Sequence, residues 1–288
     1  SSVFVTKGGV LKTSLVLNLA RMAALHNVRV CVIGLDMQCD ITNTLGFDSD
    51  IDSASNLNEA LAKLSAIKGL PEMDRPNTNI KDLLQPTDLP SLWYIPETPE
   101  LVSLEQRLTH RNRREFWLRD NVINPLKEQF DWILIDCPPN WNQLITNALV
   151  SSDLLISPLE CKINNFRNLK MFMTFIEEFG SDMNLNLGPI FVPTRLNENR
   201  KLSYEIYKWY QKNVRNSTRT PVRESTAGEE SVALRMSVIE HMPFSPAAAE
   251  MKVLMAEIWQ ALRLKEASRP KKSLSKTNKK RIATSLNF

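Results

Sequence analysis

The stretch Lys7-Gly8-Gly9-Val10-Leu11-Lys12-Thr13-Ser14 lies between an apolar run, Val3-Phe4-Val5, and residues recurring at helical spacing: Leu15, Val16, Leu19, Met22 and Ala23. A strand, a glycine-containing turn with two lysines and a threonine, and then a helix form a cup for phosphate oxygens. The backbone N–H groups of the turn and of the helix start point at the anion, and the helix dipole favours negative charge there. In such a loop Lys12 reaches the β- and γ-phosphates of a nucleoside triphosphate, and the Thr13 hydroxyl ligates Mg²⁺. The expected cup is Lys7, Gly8, Gly9, Val10, Leu11, Lys12, Thr13 and Ser14.

Beyond the loop, Asn27 offers a left-handed helix stop before Val28-Arg29-Val30-Cys31-Val32-Ile33. This near-continuous apolar run suits a parallel strand covered on both faces, and the same character recurs in Trp132–Ile135, Leu154–Ile156 and Pro189–Val192. Helical patterns separate these runs at Ser103–Leu108, Arg113–Ile123, Trp141–Ser151 and Asn165–Phe179, and a last helix is expected from Ala247 to Leu264. Alternation on this scale predicts an α/β fold, a doubly wound, mostly parallel, Rossmann-like sheet; the phosphate-loop motif at Lys7–Ser14 makes it one of the P-loop NTPase kind. Its ligand crevice would lie at the carboxyl ends of the strands, where Gly8, Asp36 and Asp136 fall. The proline-bearing segment 66–90 reads as irregular surface with short helices, and 213–231 as a mobile loop region. One domain, 1–264, followed by a tail, 265–288, is the simplest organisation.

The chain has 288 residues, 43% of them apolar and 24% charged, as in ordinary soluble globular proteins. No apolar run approaches the ~20 residues of a membrane helix. No signal peptide is expected, since the chain runs straight into a strand. Cys31, Cys39, Cys137 and Cys161 form no CxxC pair and are expected to be reduced thiols, while His26, His110 and His241 show no metal spacing. The net charge of +4 conceals an asymmetry: from Lys265 onward there are eight basic residues and one acid, leaving −3 on the remainder. That Ser/Thr/Asn-rich tail is expected to be disordered, either as a solvating segment or as a nucleic-acid arm.

Lys7–Ser14 resembles the deviant Walker A box, KGGxGKT[ST], of the ParA/MinD ATPases. Ile33-Gly34-Leu35-Asp36-Met37-Gln38 is similar to the "iDlDpQ" segment of that family, and Phe130–Pro139 to its Walker B segment, "yDyiiiDtPP". Asn147–Asp153 resembles the "nALvaaD" of ParA proteins, and Trp93-Tyr94-Ile95-Pro96 with Leu101 the family's "l.liPa...L". The resemblance covers roughly residues 3 to 262. It implies ATP and Mg²⁺ as cofactors, with Thr13 and Asp136 at the metal and Lys7, Lys12 and Asp36 in catalysis. Lys7 would cross a homodimer interface to the partner's triphosphate, and Asp36 would orient the attacking water.

Two positions depart from the family pattern. Leu11 stands where the glycine before the invariant lysine is expected, at a cost of ~1–3 kcal/mol if the backbone there is left-handed. Gly34 replaces the first acid of "DlD", leaving Asp36 as the one expected carboxylate at that strand end.

Within the family the resemblance is to the DNA-partition branch. This implies an ATP-dependent dimer that holds DNA without sequence preference, a ParB-type adaptor that stimulates slow hydrolysis, and a cytoplasmic, nucleoid-associated protein. Phosphate contacts suffice for such binding. Candidates are Arg215, Arg219, Arg223 and Arg235 in the body and Lys271, Lys272, Lys279, Lys280 and Arg281 in the tail. No helix-turn-helix module is expected ahead of the loop. The C-terminal residues Ile282, Leu286 and Phe288 are too few for a membrane-binding amphipathic helix. The alternative is a degenerate member that hydrolyses ATP weakly or not at all and serves as a scaffold or adaptor.

Overall fold

A computed structural model describes residues 1–46 and 80–268. Among the described residues eight strands form one sheet in the order β3-β4-β2-β5-β1-β6-β7-β8. They are β1 (Ser2–Val3), β2 (Val30–Gly34), β3 (Gln85–Pro86), β4 (Leu92–Ile95), β5 (Trp132–Asp136), β6 (Leu155–Glu160), β7 (Ile190–Leu196) and β8 (Val222–Arg223). Every pairing is parallel except that of the edge strand β3 with β4. Pro86 is tolerated there because an edge strand need not donate on its outer side. After β1 the chain builds one side of the sheet through β2, β4 and β5, then crosses to β6, β7 and β8. The carboxyl end of β1 is therefore the topological switch point, and the loop at 7–14 emerges from it.

Successive strand residues face opposite sides, so each strand feeds two cores. Val3, Val32 and Leu134 pack beneath α1 (Lys12–Leu25), α2 (Asp40–Leu45) and the long C-terminal helix, while Phe4, Ile33 and Ile135 pack beneath the helices of the other face. Those helices are α3 (Leu101–Thr109), α4 (Gln143–Val150), α5 (Ile163–Asp182) and α6 (Lys201–Asn213). Three more complete the first face: α7 (Thr226–Ala233), α8 (Val238–His241) and α9 (Pro246–Ser268). Near-total burial of α1 carries Arg21 inside with it. Its guanidinium meets Asp88 at 2.7 and 2.8 Å and Glu240 at 2.8 Å, so the charge enters the core paired.

The doubly wound sheet and most element positions follow the sequence expectation, including the left-handed Asn27. Three local readings differ. Residues 213–231 contain β8 and the start of α7, whose first turn is capped by the Ser225 side chain accepting from Gly228 N–H. Arg113–Ile123 is not one helix: Arg113 is left-handed, Arg114–Phe116 forms a 3₁₀ turn, and Arg119–Ile123 widens into π-type winding ahead of Pro125. Pro125 lacks an N–H for the helical ladder, which accounts for the widening. In the described part of 66–90 a short 3₁₀ helix (Ile80–Leu83) agrees with the expectation, but it is followed by the edge strand β3, which was not expected. Residues 66–79 and the tail basic cluster Lys271, Lys272, Lys279, Lys280 and Arg281 lie outside the described residues. Among the described residues no helix is long and apolar enough to cross a membrane.

Candidate nucleotide-binding site

The loop takes the shape its residues imply, with one exchange. Gly9 has φ +69° and Leu11 has φ +68°, ψ +29°. The leucine therefore adopts the left-handed conformation that glycine would supply, at a strain of about 1–2 kcal/mol. A Cβ built on Gly8 or Gly9 meets no protein atom within 4 Å, so the loop faces open space wide enough for phosphate. No side chain caps the start of α1 and no acid lies in its first turn. The N–H groups of Lys12, Thr13 and Ser14 thus have no intrahelical acceptor and point toward that space. Lys12 is buried to 7% exposure, its ammonium donating to the Lys7 carbonyl at 3.1 Å.

Behind the loop, Thr13 donates through Oγ1 to Asp136 Oδ2 at 2.7 Å. Asp136 is fully buried at the end of β5, and its Oδ1 has no hydrogen-bond partner among the described residues. Burial pushes this carboxyl up to about 7. The Thr13 hydroxyl and Lys12 oppose that shift, and the charges of Asp36 and Asp40 add to it. A hydroxyl and an acid with an unsatisfied oxygen, set beside a phosphate cup, fit a hard divalent cation. Mg²⁺ usually completes its octahedron with waters and substrate phosphates rather than protein groups. Among the described residues no group of three or more His, Cys, Asp or Glu could hold a metal alone.

Asp36 lies just past β2, half-buried, with Oδ1 accepting from Gln38 N–H at 3.1 Å. Contrary to expectation, it is not the sole carboxylate at this strand end. Glu97, two residues beyond β4, is fully buried against Gly34, where a Cβ would overlap its Cγ, Cδ and Oε1. Only two faint signs of this residue are present in the sequence: an acid missing at Gly34, and an acid following Pro96.

Lys7 is half-buried and bonded within its own chain to Glu160, at the end of β6. Lys162 joins the same carboxylate at 2.7 Å and Arg195 Nε lies at 3.9 Å. Burial acts to raise Glu160, but the Lys162 and Lys7 ammonium groups outweigh it and hold the carboxyl below its ordinary value. In this conformation Lys7 thus has an anionic partner in cis.

Beside the loop a cavity of about 260 Å³ is lined by Leu11, Asn18, Arg195, Val222, Arg223 and Met251 among others. Its mostly apolar walls beside the start of α1 suit a nucleobase. Arg223, a candidate DNA contact, belongs to this rim and is ion-paired with Glu198 at 3.2 Å and Glu250 at 3.0 Å. Arg235, also left-handed, donates to the Gly46 carbonyl at 3.0 Å. Arg215 and Arg219 are exposed. The four arginines therefore do not form one patch of equivalent contacts.

The strain at Leu11 can be measured directly. Leu11→Gly should leave stability unchanged or raise it by about 1 kcal/mol. Leu11→Val, β-branched and poorly suited to positive φ, should lower it by about 1–2 kcal/mol; urea denaturation measures both. Asp136 makes a second expectation, in pH. Because folding raises its pKa from 3.8 to about 7, the group favours the folded, nucleotide-free protein below pH ~4, and that contribution is lost as pH rises through ~7. Thermal midpoints across that window should fall less steeply for Asp136→Asn than for wild type.

A family model described as AAA domain, AAA_31, matches residues 2–188. The chain is 34% identical over 181 residues to the chromosome partitioning protein ParA of Myxococcus xanthus, an alignment covering 63% of this chain. It spans only 59% of that relative's length. In fold it is similar to the ATP complex of a McdA variant from Cyanothece, with a TM-score of 0.75 and 16% identity, covering 90% of this chain and 95% of that one. It is also similar to cobyrinic acid a,c-diamide synthase from Mycobacterium smegmatis with bound ADP and magnesium. There the TM-score is 0.71 and the identity 22%, covering 95% of this chain and 98% of that one. The ordered loop, strand ends and sheet, together with these matches, place the chain in the AAA_31 family, with a phosphate loop of the ParA/MinD type.

Proposed function

We propose that the protein is an ATP-driven positioning switch, which dimerises when ATP is bound, holds DNA without sequence preference, and moves a plasmid, chromosome or other cargo. The observation that carries this reading is the loop itself. Two lysines flank an open, uncapped helix start, and Leu11 already has the backbone conformation phosphate binding needs. That conformation favours nucleotide binding over the degenerate scaffold.

In this reading the N–H groups of residues 8–14 and the Lys12 ammonium bind the triphosphate. Thr13 and Asp136 would hold Mg²⁺, which would supply neutralisation of the triphosphate's charge. Asp36 orients water, and the excess of carboxylates around Lys12 leaves the site suited to a cationic cofactor. Lys7 exchanges Glu160 for phosphate across the dimer, while Lys162 and Arg195 remain to neutralise the Glu160 it leaves. Phosphoryl transfer by positioning and electrostatics needs no covalent intermediate. An adaptor of the ParB type would set the rate, and the protein would work on the nucleoid in the cytoplasm. Arg215, Arg219 and the tail basic residues are the proposed DNA contacts.

Titration calorimetry with ATP and Mg²⁺, light scattering and DNA retention test this together. Lys12→Ala should abolish saturable ATP binding, whereas Lys7→Ala should retain binding but lose dimerisation or hydrolysis. DNA retention should require ATP and fall steeply with salt. ATP consumption that depends on a small acid or amine, and not on DNA, would instead assign a synthetase.

A further inference from the structure

The exchange at Gly34 points to a residue with a defined job. Gly34 ends β2 in register with Asp136 on β5, and β2 pairs on its other side with β4. The room a side chain at 34 would occupy is filled by Glu97, arriving from beyond β4. Each carboxylate oxygen of Glu97 is engaged by backbone. Oε1 accepts from Asp36 N–H at 3.3 Å, and Oε2 accepts from Ile41 N–H at 3.0 Å and Thr42 N–H at 3.3 Å. The Glu97 N–H in turn donates to Thr42 Oγ1 at 2.7 Å, and that hydroxyl donates to the Glu97 carbonyl at 3.2 Å.

These bonds clamp the chain at both ends of one turn, immediately at Asp36 and again just past Asp40. Between the clamps the backbone is held by Cys39 N–H donating to the Asp36 carbonyl at 3.0 Å, with Cys39 at φ +58°. The turn thus has a fixed base and an outward-facing acid. Burial, and then the neighbouring Asp136, push the Glu97 carboxyl well above its ordinary value, against the three backbone N–H groups that favour its charged form. No cation among the described residues pairs with it; this is a costly device for structure alone. Serine or threonine could accept one amide at lower cost. A two-oxygen acceptor is required to hold Asp36 and the 41–42 pair at once.

We infer that Glu97 is the positioning residue for Asp36, and that Gly34 and Glu97 are two halves of one exchange, a carboxylate moved from the end of β2 to the end of β4. Glu97 acts through Asp36 rather than on the nucleotide; it sets the direction in which the Asp36 carboxylate faces the phosphate cup. This rests on the ATPase reading above and deepens it.

The test uses the full chain with ATP and Mg²⁺, measuring affinity for a fluorescent ATP analogue, kcat and thermal midpoint. Glu97→Gln keeps the shape but turns an N–H₂ toward backbone donors, and Glu97→Ala removes the acceptor. Each should lower kcat tenfold or more while the analogue's Kd stays within about threefold. Gly34→Asp alone should be poorly folded for want of space. Gly34→Asp combined with Glu97→Ala should restore kcat at least fivefold over Glu97→Ala, an outcome that loss of a generic packing contact does not produce. If Glu97→Ala fails to fold, Glu97→Gln decides.

Unchanged kcat in Glu97→Gln overturns the inference. So does parallel loss of binding, turnover and midpoint in every Glu97 variant, without rescue by the pair. A wild-type chain that binds no ATP overturns the underlying functional reading instead, so the two failures are distinguishable.

Discussion

A buried carboxylate that the protein does not satisfy by itself governs the crevice. Asp136 has one oxygen on Thr13 and the other without a partner among the described residues, and it lies fully inside the fold. Desolvating an anion in this way is costly unless a cation or donors compensate it. Lys12 is a nearby cation, while the charges of Asp36 and Asp40 add negative potential. The sheet end is thus held in a state that a divalent cation with its phosphates relieves. Relief of this electrostatic strain would contribute to the free energy of binding such a cation there.

That constraint explains why the loop can accept an unusual residue. The left-handed backbone at Leu11 is a local cost of about 1–2 kcal/mol, small beside the electrostatic effects around it. What the site needs from this position is the direction of its N–H, and leucine can supply that. Its side chain then becomes part of the wall of the neighbouring cavity, which a glycine could not provide.

Legibility in the sequence follows the range of the interactions. The phosphate loop, Asp36 and Asp136 are local motifs at strand ends, and the long apolar strands and helices announce themselves by period. The two-residue β8 is too short for any periodicity, and α7, Thr226–Ala233, carries a weak apolar pattern. The capping box at Ser237-Val238-Ile239-Glu240 is a local signal, yet the helix it opens is only four residues long and has no period to support it. The two faint signs of Glu97 could not be joined from the sequence, because their meaning depends on β4 lying beside β2, a fact of topology rather than spacing. The pairing of Lys7 with Glu160 spans 153 residues and is equally silent in the sequence.

The clasp around Arg21 bears on how the chain is made. Its guanidinium lies in the first helix, yet Glu240 follows 219 residues later, and the nearby Asn18 side chain receives an N–H from Val238. At a synthesis rate of about 5–20 residues per second, roughly ten to forty-five seconds separate the emergence of the cation from that of its second anion. During that interval the helix that carries the phosphate loop cannot bury itself without leaving a charge short of its partners. Asp88, 67 residues on, supplies the first partner early, and full pairing of the buried guanidinium waits on a segment made late in translation.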